Sequence, residues 1–419
     1  MDDAVPNGLD LAPFRGLRYD PERVGDVASV TSPPYDVVEP GGVPALEDAD
    51  PHNIVRLVLP RSAVHAGSTL RTWLAEGALR PDPLPSLYVY EQRDHNSIQR
   101  GLIGALSLDS GVLPHEDVMP GPVADRAAIM TELSANPEPI LLVYKGGGRA
   151  SDIVEQTTHQ PPLVGLRTPD GIRHRLWGIT DRHALAGIRE DLAHRKALIA
   201  DGHHRWAAYA RMRERAHADG RGDGPWDRGL VLLVDTVRHP LRVGAIHRVL
   251  PKLRPADALN ALATYGDAGA GAFLARPLDG TLPAALWALD QAVGPAFLLA
   301  GDRRFHLLTG PDPDLLDITI RADRPRTWRC LDATVLHAAL LDHVWHVPDN
   351  WDNITYVHDA AAAVRQANHT GGTAILLRPT DERVVRELAE QDVRMPRKST
   401  SFGPKPATGL VLRSLDLQE

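Results

Sequence analysis

The amino-acid sequence predicts a mixed α/β (α+β) protein, and three observations favour this class. Hydrophobic residues make up 43% of the 419 residues and charged residues 24%, the balance of an ordinary globular protein. The chain holds 35 Gly and 35 Pro but only 5% aromatic residues, which suits a loop-rich fold better than a helical bundle. Apolar strand patterns also alternate with amphipathic helix patterns, as in layered α/β folds.

The first 150 residues predict one α/β region. Residues 53–59 (NIVRLVL) are apolar and β-branched, which favours a buried strand, and a short helix is predicted over 69–78. The segments SLYVYE (86–91) and GLIGALSL (101–108) predict neighbouring strands joined by a polar hairpin loop over 92–99. A helix over 125–134, with Asp125 near its start, and a strand over 140–144 complete the region.

A second region, residues 151–252, contains the clearest α/β unit. An apolar strand over 196–200 leads into Asp201-Gly202-His203-His204-Arg205, which we call the DGHHR turn. An amphipathic helix is predicted over 206–218, and a strongly apolar strand follows at 229–235. Strand, tight turn, helix and strand in this order are typical of an α/β layer.

The third predicted region, residues 253–419, is an accessory α/β region. Helices are expected over 332–345 and 381–391, with a strand over 374–377. The segment 395–415 predicts a loop that carries Lys398-Ser399-Thr400 and Lys405 and closes on a strand. No internal repeat or low-complexity tail is visible.

Charge and composition narrow the range of partners. The formal net charge of −8 disfavours nucleic acid as a partner, because nucleic-acid-binding surfaces are normally basic. The one cysteine, Cys330, allows neither a disulfide framework nor a cysteine-based zinc site within one chain. The acidic N-terminus lacks signal-peptide character, and no stretch approaches the ~18 apolar residues of a membrane span. We therefore expect a cytoplasmic protein with no membrane partner; a homo-oligomer is compatible with the sequence.

The DGHHR turn is the strongest candidate site. It lies where a strand ends and a helix begins, and helix N-termini bind anions through free backbone N–H groups and the helix dipole. Gly202 allows close approach of a phosphate, Arg205 offers a planar fork of donors, and the histidines can donate to phosphate or relay protons. Asp201 is expected to cap the helix or to orient a histidine or a metal ion. The alternative is a capped helix start with solvated histidines.

Four further segments carry candidate residues, although each taken alone also fits a surface turn or a solvated loop. They are Pro33-Pro34-Tyr35-Asp36, His115-Glu116-Asp117 with Asp125-Arg126, His247-Arg248, and Lys398-Ser399-Thr400 with Lys405. The common phosphate-loop, dinucleotide, zinc-protease and nucleophile-elbow motifs are absent from the sequence.

Together these segments resemble the bacterial and archaeal domain-of-unknown-function family 1015. The matching pieces run in order over nearly the whole chain: SPPYDV (32–37), HNIVRLVLP (52–60), PHEDV (114–118), DR (125–126), ANPEPI (135–140), IADGHHRWAA (199–208), HRV (247–249) and MPRKSTSFGPKPATGLV (395–411). Trp206 replaces the usual tyrosine, and Ser401 and Gly403 stand where aromatic residues are usual, which implies a more open pocket.

The DGHHR turn is also similar to the phosphate-binding turn of the ParB/sulfiredoxin superfamily. That likeness implies a ParB/sulfiredoxin-like nucleotide-binding core with accessory α/β regions. The superfamily includes CTP-binding partitioning proteins, ATP-dependent sulfiredoxin and free-serine kinases. The sulfiredoxin cysteine and the arginine-rich turn of partitioning proteins are absent here. An association of the family with serine biosynthesis favours the serine-kinase branch.

The resemblance implies transfer of phosphate from ATP or ADP, with Mg²⁺, to a small hydroxy acceptor, most simply L-serine. The expected catalytic residues are Glu116, Asp36, Asp201 and His204. Glu116 is the first candidate for the base and Asp36 the second. Residues 202–205 (Gly202, His203, His204 and Arg205) would hold the nucleotide, and Asp201 with Glu116 would hold Mg²⁺. The expected substrate-binding residues are His115, Arg126, His247, Arg248, Lys398, Ser399, Thr400 and Lys405. A nucleotide-binding switch and a metal-dependent phosphohydrolase remain as alternatives.

Overall fold

The computed structural model describes residues 8–38, 41–95, 97–265, 271–350 and 352–417. These residues form two compact units. Unit 1 takes its described residues from the segments Met1–Pro114, Val118–Leu241 and Pro404–Glu419, and unit 2 from His115–Asp117 and Arg242–Gly403. Both of the first two predicted regions contribute to unit 1, and most of 253–419 lies in unit 2. The three-region division itself stays a prediction.

The strands fall throughout the chain. In chain order they are β1 (Leu11–Ala12), β2 (Gly16–Tyr19), β3 (Leu79–Pro81), β4 (Leu87–Arg93), β5 (Ile98–Ser107), β6 (Val112–Leu113), β7 (Ala135–Asn136), β8 (Ile140–Tyr144), β9 (Val164–Arg167), β10 (Arg173–Ile179), β11 (Ala197–Asp201), β12 (Arg228–Asp235), β13 (Arg242–Gly244), β14 (His247–Leu250), β15 (Leu274–Leu278), β16 (Phe297–Gly301), β17 (Arg304–Thr309), β18 (Thr355–Val357), β19 (Thr373–Leu376), β20 (Ser401–Gly403) and β21 (Leu412–Ser414).

The α-helices alternate with them. They are α1 (Pro21–Val24), α2 (Val43–Ala49), α3 (Val55–Val58), α4 (Ala63–Glu76), α5 (Pro120–Leu133), α6 (Arg149–Thr157), α7 (Arg182–Leu192), α8 (His203–Ala218), α9 (Pro255–Thr264), α10 (Leu282–Asp290), α11 (Pro313–Thr319), α12 (Arg326–Arg329), α13 (Asp332–Val335), α14 (Ala360–Thr370) and α15 (Glu382–Glu390). A 3₁₀ turn covers Pro225–Asp227, and α13 continues as a π-helical segment over Leu336–Val344. The predicted mixed α/β class is confirmed.

Unit 1 is built on a mixed sheet that, within the described residues, contains nine strands. Its order is β6-β11-β8-β12-β5-β4-β10-β9, with β1 paired to β5. The pairs β12–β8 and β11–β6 are parallel, and the other neighbours are antiparallel. Alternate side chains of the central strands, such as Leu142 and Val231, are fully buried in one core with residues of α5 to α8. A smaller sheet of order β3-β2-β21-β7 joins the C-terminal segment to this unit.

Unit 2 has its own core. Its larger sheet has the order β15-β17-β16-β19-β14-β18, and all its strand pairs are antiparallel. Apolar side chains cover both faces of this sheet: Leu299 and Ile375 belong to one buried cluster, and Leu298 and Ala374 to another. A two-stranded sheet, β13-β20, lies in the same unit.

Most predicted elements are confirmed, with small shifts at their ends, but three predictions are wrong. Within residues 53–59, Val55–Val58 form helix α3 rather than a strand, because Asn53 Oδ1 accepts the Val55 N–H and fixes a helical turn. The predicted helix at 125–134 begins at Pro120, so Asp125 lies inside it. Much of the predicted loop 92–99 is strand, since Gln92 pairs with Gln99. No helix among the described residues is long and apolar enough to cross a membrane.

Candidate functional site

The DGHHR turn joins β11 to α8 in unit 1. Ile199 pairs with Leu142 and Asp201 with the adjacent Leu141, so one extra residue of β11 bulges just before the turn. Such a bulge redirects the side chain that ends the strand. Gly202 then adopts φ 101°, a left-handed conformation, and α8 begins at His203. Gly202 is itself the N-cap and no side chain caps the helix, so the prediction that Asp201 caps it is wrong.

Lys405 connects the turn with the segment that carries Asp36. Its Nζ lies 2.6 Å from Asp201 Oδ1 and 2.5 Å from Asp36 Oδ2. Its side chain is 15% exposed, against 14% for Asp201 and 24% for Asp36. Burial alone would lower the pKa of Lys405, but the two carboxylates raise it above its ordinary value. One ammonium group therefore neutralises two carboxylates from distant parts of the sequence.

Arg205 holds Asp201 from the other side. Its Nη2 donates to Asp201 Oδ2 at 2.7 Å, its Nη1 donates to the Pro139 carbonyl at 2.9 Å, and the same Nη1 lies 3.2 Å from Glu138 Oε1. Arg205 is 4% exposed, and burial would lower its pKa were it not for Glu138 and Asp201, which raise it. The guanidinium donors are thus directed largely to protein groups, which favours a role in positioning Asp201 over direct phosphate binding.

Glu138, Tyr35 and Thr408 complete this cluster; Tyr35 belongs to the candidate segment 33–36, whereas Glu138 and Thr408 were not proposed as site residues. Glu138 accepts the Thr408 hydroxyl at 3.1 Å. Burial raises the pKa of Glu138, and Arg205 acts in the opposite direction. The Tyr35 ring lies 5.7 Å from the Arg205 guanidinium and 4.5 Å from that of Arg126. The only signal for Glu138 and Thr408 was their position within the ANPEPI and MPRKSTSFGPKPATGLV segments.

The two histidines of the turn differ in environment. His203 is buried, at 9% exposure, whereas His204 is partly exposed. The His204 ring accepts the Met119 backbone N–H at Nε2, over 3.1 Å. A ring nitrogen that accepts carries no proton, so Nε2 is not a donor in this arrangement. His204 lies in the first turn of α8, where the free backbone N–H groups favour an anion.

The other candidate residues of unit 1 have structural partners. Arg126 donates to the Val58 carbonyl and to Asp125, both at 2.6 Å, and it lies over Tyr35. The turn, Asp36, Lys405 and Arg126 therefore belong to one connected group of side chains. We call Asp36, Asp201, Lys405, Arg205 and Glu138 the unit 1 charge cluster.

Glu116 lies in unit 2, where it binds the Lys398-Ser399-Thr400 segment. The Ser399 N–H donates to Glu116 Oε1 at 3.3 Å, and the Thr400 hydroxyl lies 3.5 Å from the same oxygen. His115 Nε2 contacts the Thr400 hydroxyl at 2.9 Å. Burial raises the pKa of Glu116, while Lys398 and the neighbouring amides oppose that rise. These residues, expected to bind a substrate or to act as a base, contact one another.

His247 and Arg248 are also engaged within unit 2. The His247 ring accepts the Leu377 N–H at 3.2 Å, and burial lowers the pKa of His247 to about 4. Arg248 is fully buried and contacts the Ile246 carbonyl and His337 Nε2. Neither side chain is an exposed donor for a substrate.

Asp201, one member of the predicted magnesium pair, already has cationic partners, and its pairing with Glu116 stays a prediction. Both Asp201 oxygens already accept cations, Oδ1 from Lys405 and Oδ2 from Arg205. The Lys405 ammonium lies between Asp36 and Asp201 and supplies the positive charge that a metal ion could supply there.

Replacing Gly202 with alanine is expected to destabilise the protein by about 2–3 kcal/mol, because a strained backbone costs roughly 1–3 kcal/mol per residue. A Cβ at Gly202 would also lie 3.0 Å from the Arg205 guanidinium. Gly220 is a matched control, since its φ is 74° and a Cβ there meets nothing within 4 Å. Urea unfolding should show a larger loss for Gly202→Ala than for Gly220→Ala. Equal losses of stability in the two variants would mean that the contact between the new Cβ and Arg205 does not destabilise the protein.

Solved structures with a distant likeness to this chain include two of a free serine kinase. A variant of it in complex with ADP is 14% identical, with a TM-score of 0.39, over 72% of this chain and 87% of that chain. The kinase in complex with AMP is 15% identical, with a TM-score of 0.37, over the same shares. SbnI with a C-terminal truncation, from Staphylococcus aureus, is 10% identical, with a TM-score of 0.35, over 75% of this chain and 86% of that chain. Likenesses at this level assign no function.

No curated protein matches the sequence. The family described as "Protein of unknown function (DUF1015)" matches residues 11–334, more than half of the chain. This match confirms the family resemblance for the motifs that lie within it, and it includes Asp36, Glu138 and the DGHHR turn. The chain therefore belongs to the DUF1015 family.

Proposed function

We propose that this protein is a nucleotide-dependent phosphotransferase that phosphorylates the hydroxyl group of a free amino acid, with L-serine as the acceptor and O-phospho-L-serine as the product. The observation that carries the proposal is the contact of Lys405 with Asp36 and Asp201 beside the DGHHR turn. It combines, in one unit, a helix N-terminus that favours phosphate, a lysine cation and a carboxylate with 24% side-chain exposure.

The proposed roles follow from what phosphoryl transfer requires, which is positioning and charge neutralisation. The first amides of α8 have no acceptor within the helix and bind the nucleotide phosphates, while Gly202 keeps side-chain bulk away from them. Lys405 stabilises the charge that develops on the transferred group. His204, in the first turn of α8, is assigned to the same phosphate-binding group. Arg205 acts through Asp201 and is a positioning residue.

Asp36 is the proposed base. The serine hydroxyl oxygen forms a bond to the terminal phosphorus as its proton passes to Asp36. The bond from that phosphorus to the bridging oxygen breaks, and the shorter nucleotide leaves with the electron pair. The nucleotide enters as its Mg²⁺ complex, so the metal arrives with the substrate. No step requires the predicted pair of Asp201 and Glu116.

The choice of acceptor rests on the family resemblance to the serine-kinase branch, and a direct assay tests it. The full-length protein is incubated with Mg²⁺, ATP or ADP, and L-serine, and ³¹P NMR follows the phosphate monoester. Growth of an O-phosphoserine resonance with loss of the terminal phosphate is the expected result. Nucleotide binding with no transfer to any free hydroxy amino acid would overturn the kinase and favour a nucleotide-binding switch. Hydrolysis without an acceptor would favour a phosphohydrolase.

Two isosteric variants distinguish Asp36 from Glu116 as the base. We expect Asp36→Asn to lower kcat by about 10²-fold, a typical contribution of general base catalysis. Glu116→Gln should lower kcat less than about 5-fold, because the Glu116 carboxylate contacts the 398–400 segment of unit 2. Loss of a general base would lower kcat by more than about 5-fold. Initial rates of phosphoserine formation at saturating nucleotide measure both. A larger loss in Glu116→Gln than in Asp36→Asn would return the role of base to Glu116.

A further inference from the structure

Lys405 sits on a short segment whose backbone is fixed at both ends. On one side, the Pro404 carbonyl accepts two side-chain amides, Gln92 Nε2 at 3.0 Å and Gln99 Nε2 at 3.1 Å. On the other side, the Ala407 N–H donates to the Tyr90 hydroxyl at 3.1 Å. The residues that hold this segment come from the paired strands β4 and β5, in the centre of the unit 1 sheet.

The three holding side chains form one buried network. Tyr90 is 1% exposed, and Gln92 and Gln99 are each 2% exposed. Gln92 Nε2 also donates to Gln99 Oε1, and the Tyr90 hydroxyl lies 3.3 Å from Gln92 Oε1. Gln92 and Gln99 are direct partners across the β4–β5 pair, so the strand register aligns their amides. The network is therefore a buried support for the 404–407 backbone rather than a set of surface contacts.

Tyr90 is oriented by a further contact. His174 Nδ1 lies 2.9 Å from the Tyr90 hydroxyl, and Thr168 Oγ1 lies 3.3 Å from His174 Nε2. Burial lowers the pKa of His174 to about 4, so the ring is neutral near neutral pH. The Tyr90 hydroxyl donates its proton to Gln92 Oε1, and a neutral His174 ring with its proton on Nδ1 can donate to the Tyr90 oxygen, which also receives the Ala407 N–H.

A second fixed point lies one residue beyond Ala407. Thr408 and Ser32 exchange both backbone hydrogen bonds, at 2.9 and 3.1 Å. This bridge ties the Lys405 segment to the segment that leads to Asp36. The backbone on either side of Lys405 is therefore held, which places its ammonium at 2.5–2.6 Å from both carboxylates.

We propose that Tyr90, Gln92 and Gln99 are positioning residues that set the place of Lys405 between Asp36 and Asp201. The inference deepens the proposed function and rests on it for its kinetic part. None of the three side chains needs to touch the substrate: they act through the Pro404 carbonyl and the Ala407 amide. A long, flexible lysine side chain has many rotamers, and a fixed backbone with two carboxylate partners limits it to few.

The test uses Gln92→Leu, Gln99→Leu and Tyr90→Phe, which remove the hydrogen-bonding groups with small changes in volume. The first readout is reductive methylation of the full-length protein, with labelling of Lys405 and exposed Lys145 compared by mass spectrometry. We expect the Lys405/Lys145 labelling ratio to rise at least 5-fold in the variants. The control is Gln156→Leu on the exposed face of α6, which should leave the ratio unchanged.

The second readout is phosphoserine formation. Because misplacement of a catalytic group by 1 Å can cost about 10²-fold, we expect kcat to fall about 10-fold or more while the KM for nucleotide changes less than 2-fold. Wild-type labelling and wild-type kcat in Gln92→Leu and Gln99→Leu would overturn the proposal. If Gln92→Leu does not fold, Gln99→Leu and Tyr90→Phe still decide, because each removes one of the hydrogen bonds that hold the 404–407 backbone. Increased labelling of Lys405 in the variants, together with no transferase activity in the wild-type protein, would support the positioning role and overturn the proposed function.

Discussion

Replacing Lys405 with methionine is expected to lower kcat for phosphoserine formation by about 10³-fold, because removing one preorganised group that stabilises transition-state charge costs about 10²–10³-fold. We expect the loss of kcat to fall at the upper end of this range, because Lys405 also neutralises Asp36 and Asp201, which would otherwise repel the nucleotide phosphates. The KM for nucleotide should rise as well. Steady-state kinetics with ³¹P NMR detection of the product measure both.

Two comparisons sharpen this result. Lys405→Arg keeps the charge but changes the shape of the donor group, so it should recover only part of the activity. Lys145→Met removes an exposed lysine of unit 1 and should behave like the wild type.

The pKa of Lys405 is raised, so its stabilising contribution is present below the ordinary lysine value of about 10.4 and is lost only above it. The stability difference between wild type and Lys405→Met should therefore be the same at pH 6 and pH 9. Activity of Lys405→Met within 10-fold of wild type would remove Lys405 from the mechanism.

Replacing Arg205 with leucine is expected to destabilise the protein by about 3–5 kcal/mol at pH 8, because it leaves a buried carboxylate without its cation. Glu138 is 3% exposed, and Arg205 is its ion-pair partner at 3.2 Å. Burial already raises the pKa of Glu138, and loss of Arg205 raises it further. A carboxyl group with a raised folded-state pKa favours folding more at low pH, so the loss should be smaller at pH 5 than at pH 8. Urea midpoints at the two pH values give the comparison.

The double variant Arg205→Leu/Glu138→Leu isolates the cause. If the destabilisation comes from the unpaired Glu138 carboxylate, removing that carboxylate as well should restore at least half of the lost stability. The pH dependence should also weaken, because the titrating group is gone. A double variant less stable than Arg205→Leu at both pH values would show that packing around Arg205, rather than charge pairing, carries the effect.

The elements of unit 1 were largely visible in the sequence, because a strand that is buried on both faces leaves a continuous apolar run. The strand at 140–144 coincides with β8, and the strand before the DGHHR turn differs from β11 by one residue at each end. Residues 53–59 were assigned the wrong structure since a short apolar run is equally compatible with a buried helix. There a local side-chain contact of Asn53 and burial of Leu57 outweigh the β-propensity of Val55 and Val58.

Most residues of the candidate site were predictable, Glu138 being the exception, but their pairing was not. Asp36, Asp201, Arg205 and Lys405 were all singled out from the sequence. That Lys405 contacts Asp36, and that Glu116 contacts the 398–400 segment, depends on tertiary packing. Gln92 and Gln99 carry no signal of their own, because polar residues between two strands are typical of an exposed loop. Their burial becomes clear only when the segment at 404–407 is packed against them.

The contact between Asp36 and Lys405 spans 369 residues of chain, so the order of events during folding has a consequence for activity. Both carboxylates are synthesised well before the lysine that neutralises them. Closing so long a loop costs little more entropy than closing a shorter one, but it waits for the intervening chain to fold. Until the 404–408 segment docks, Asp36 and Asp201 lack this cation. Under the proposed mechanism, a chain in which this segment has not yet docked would not transfer phosphate.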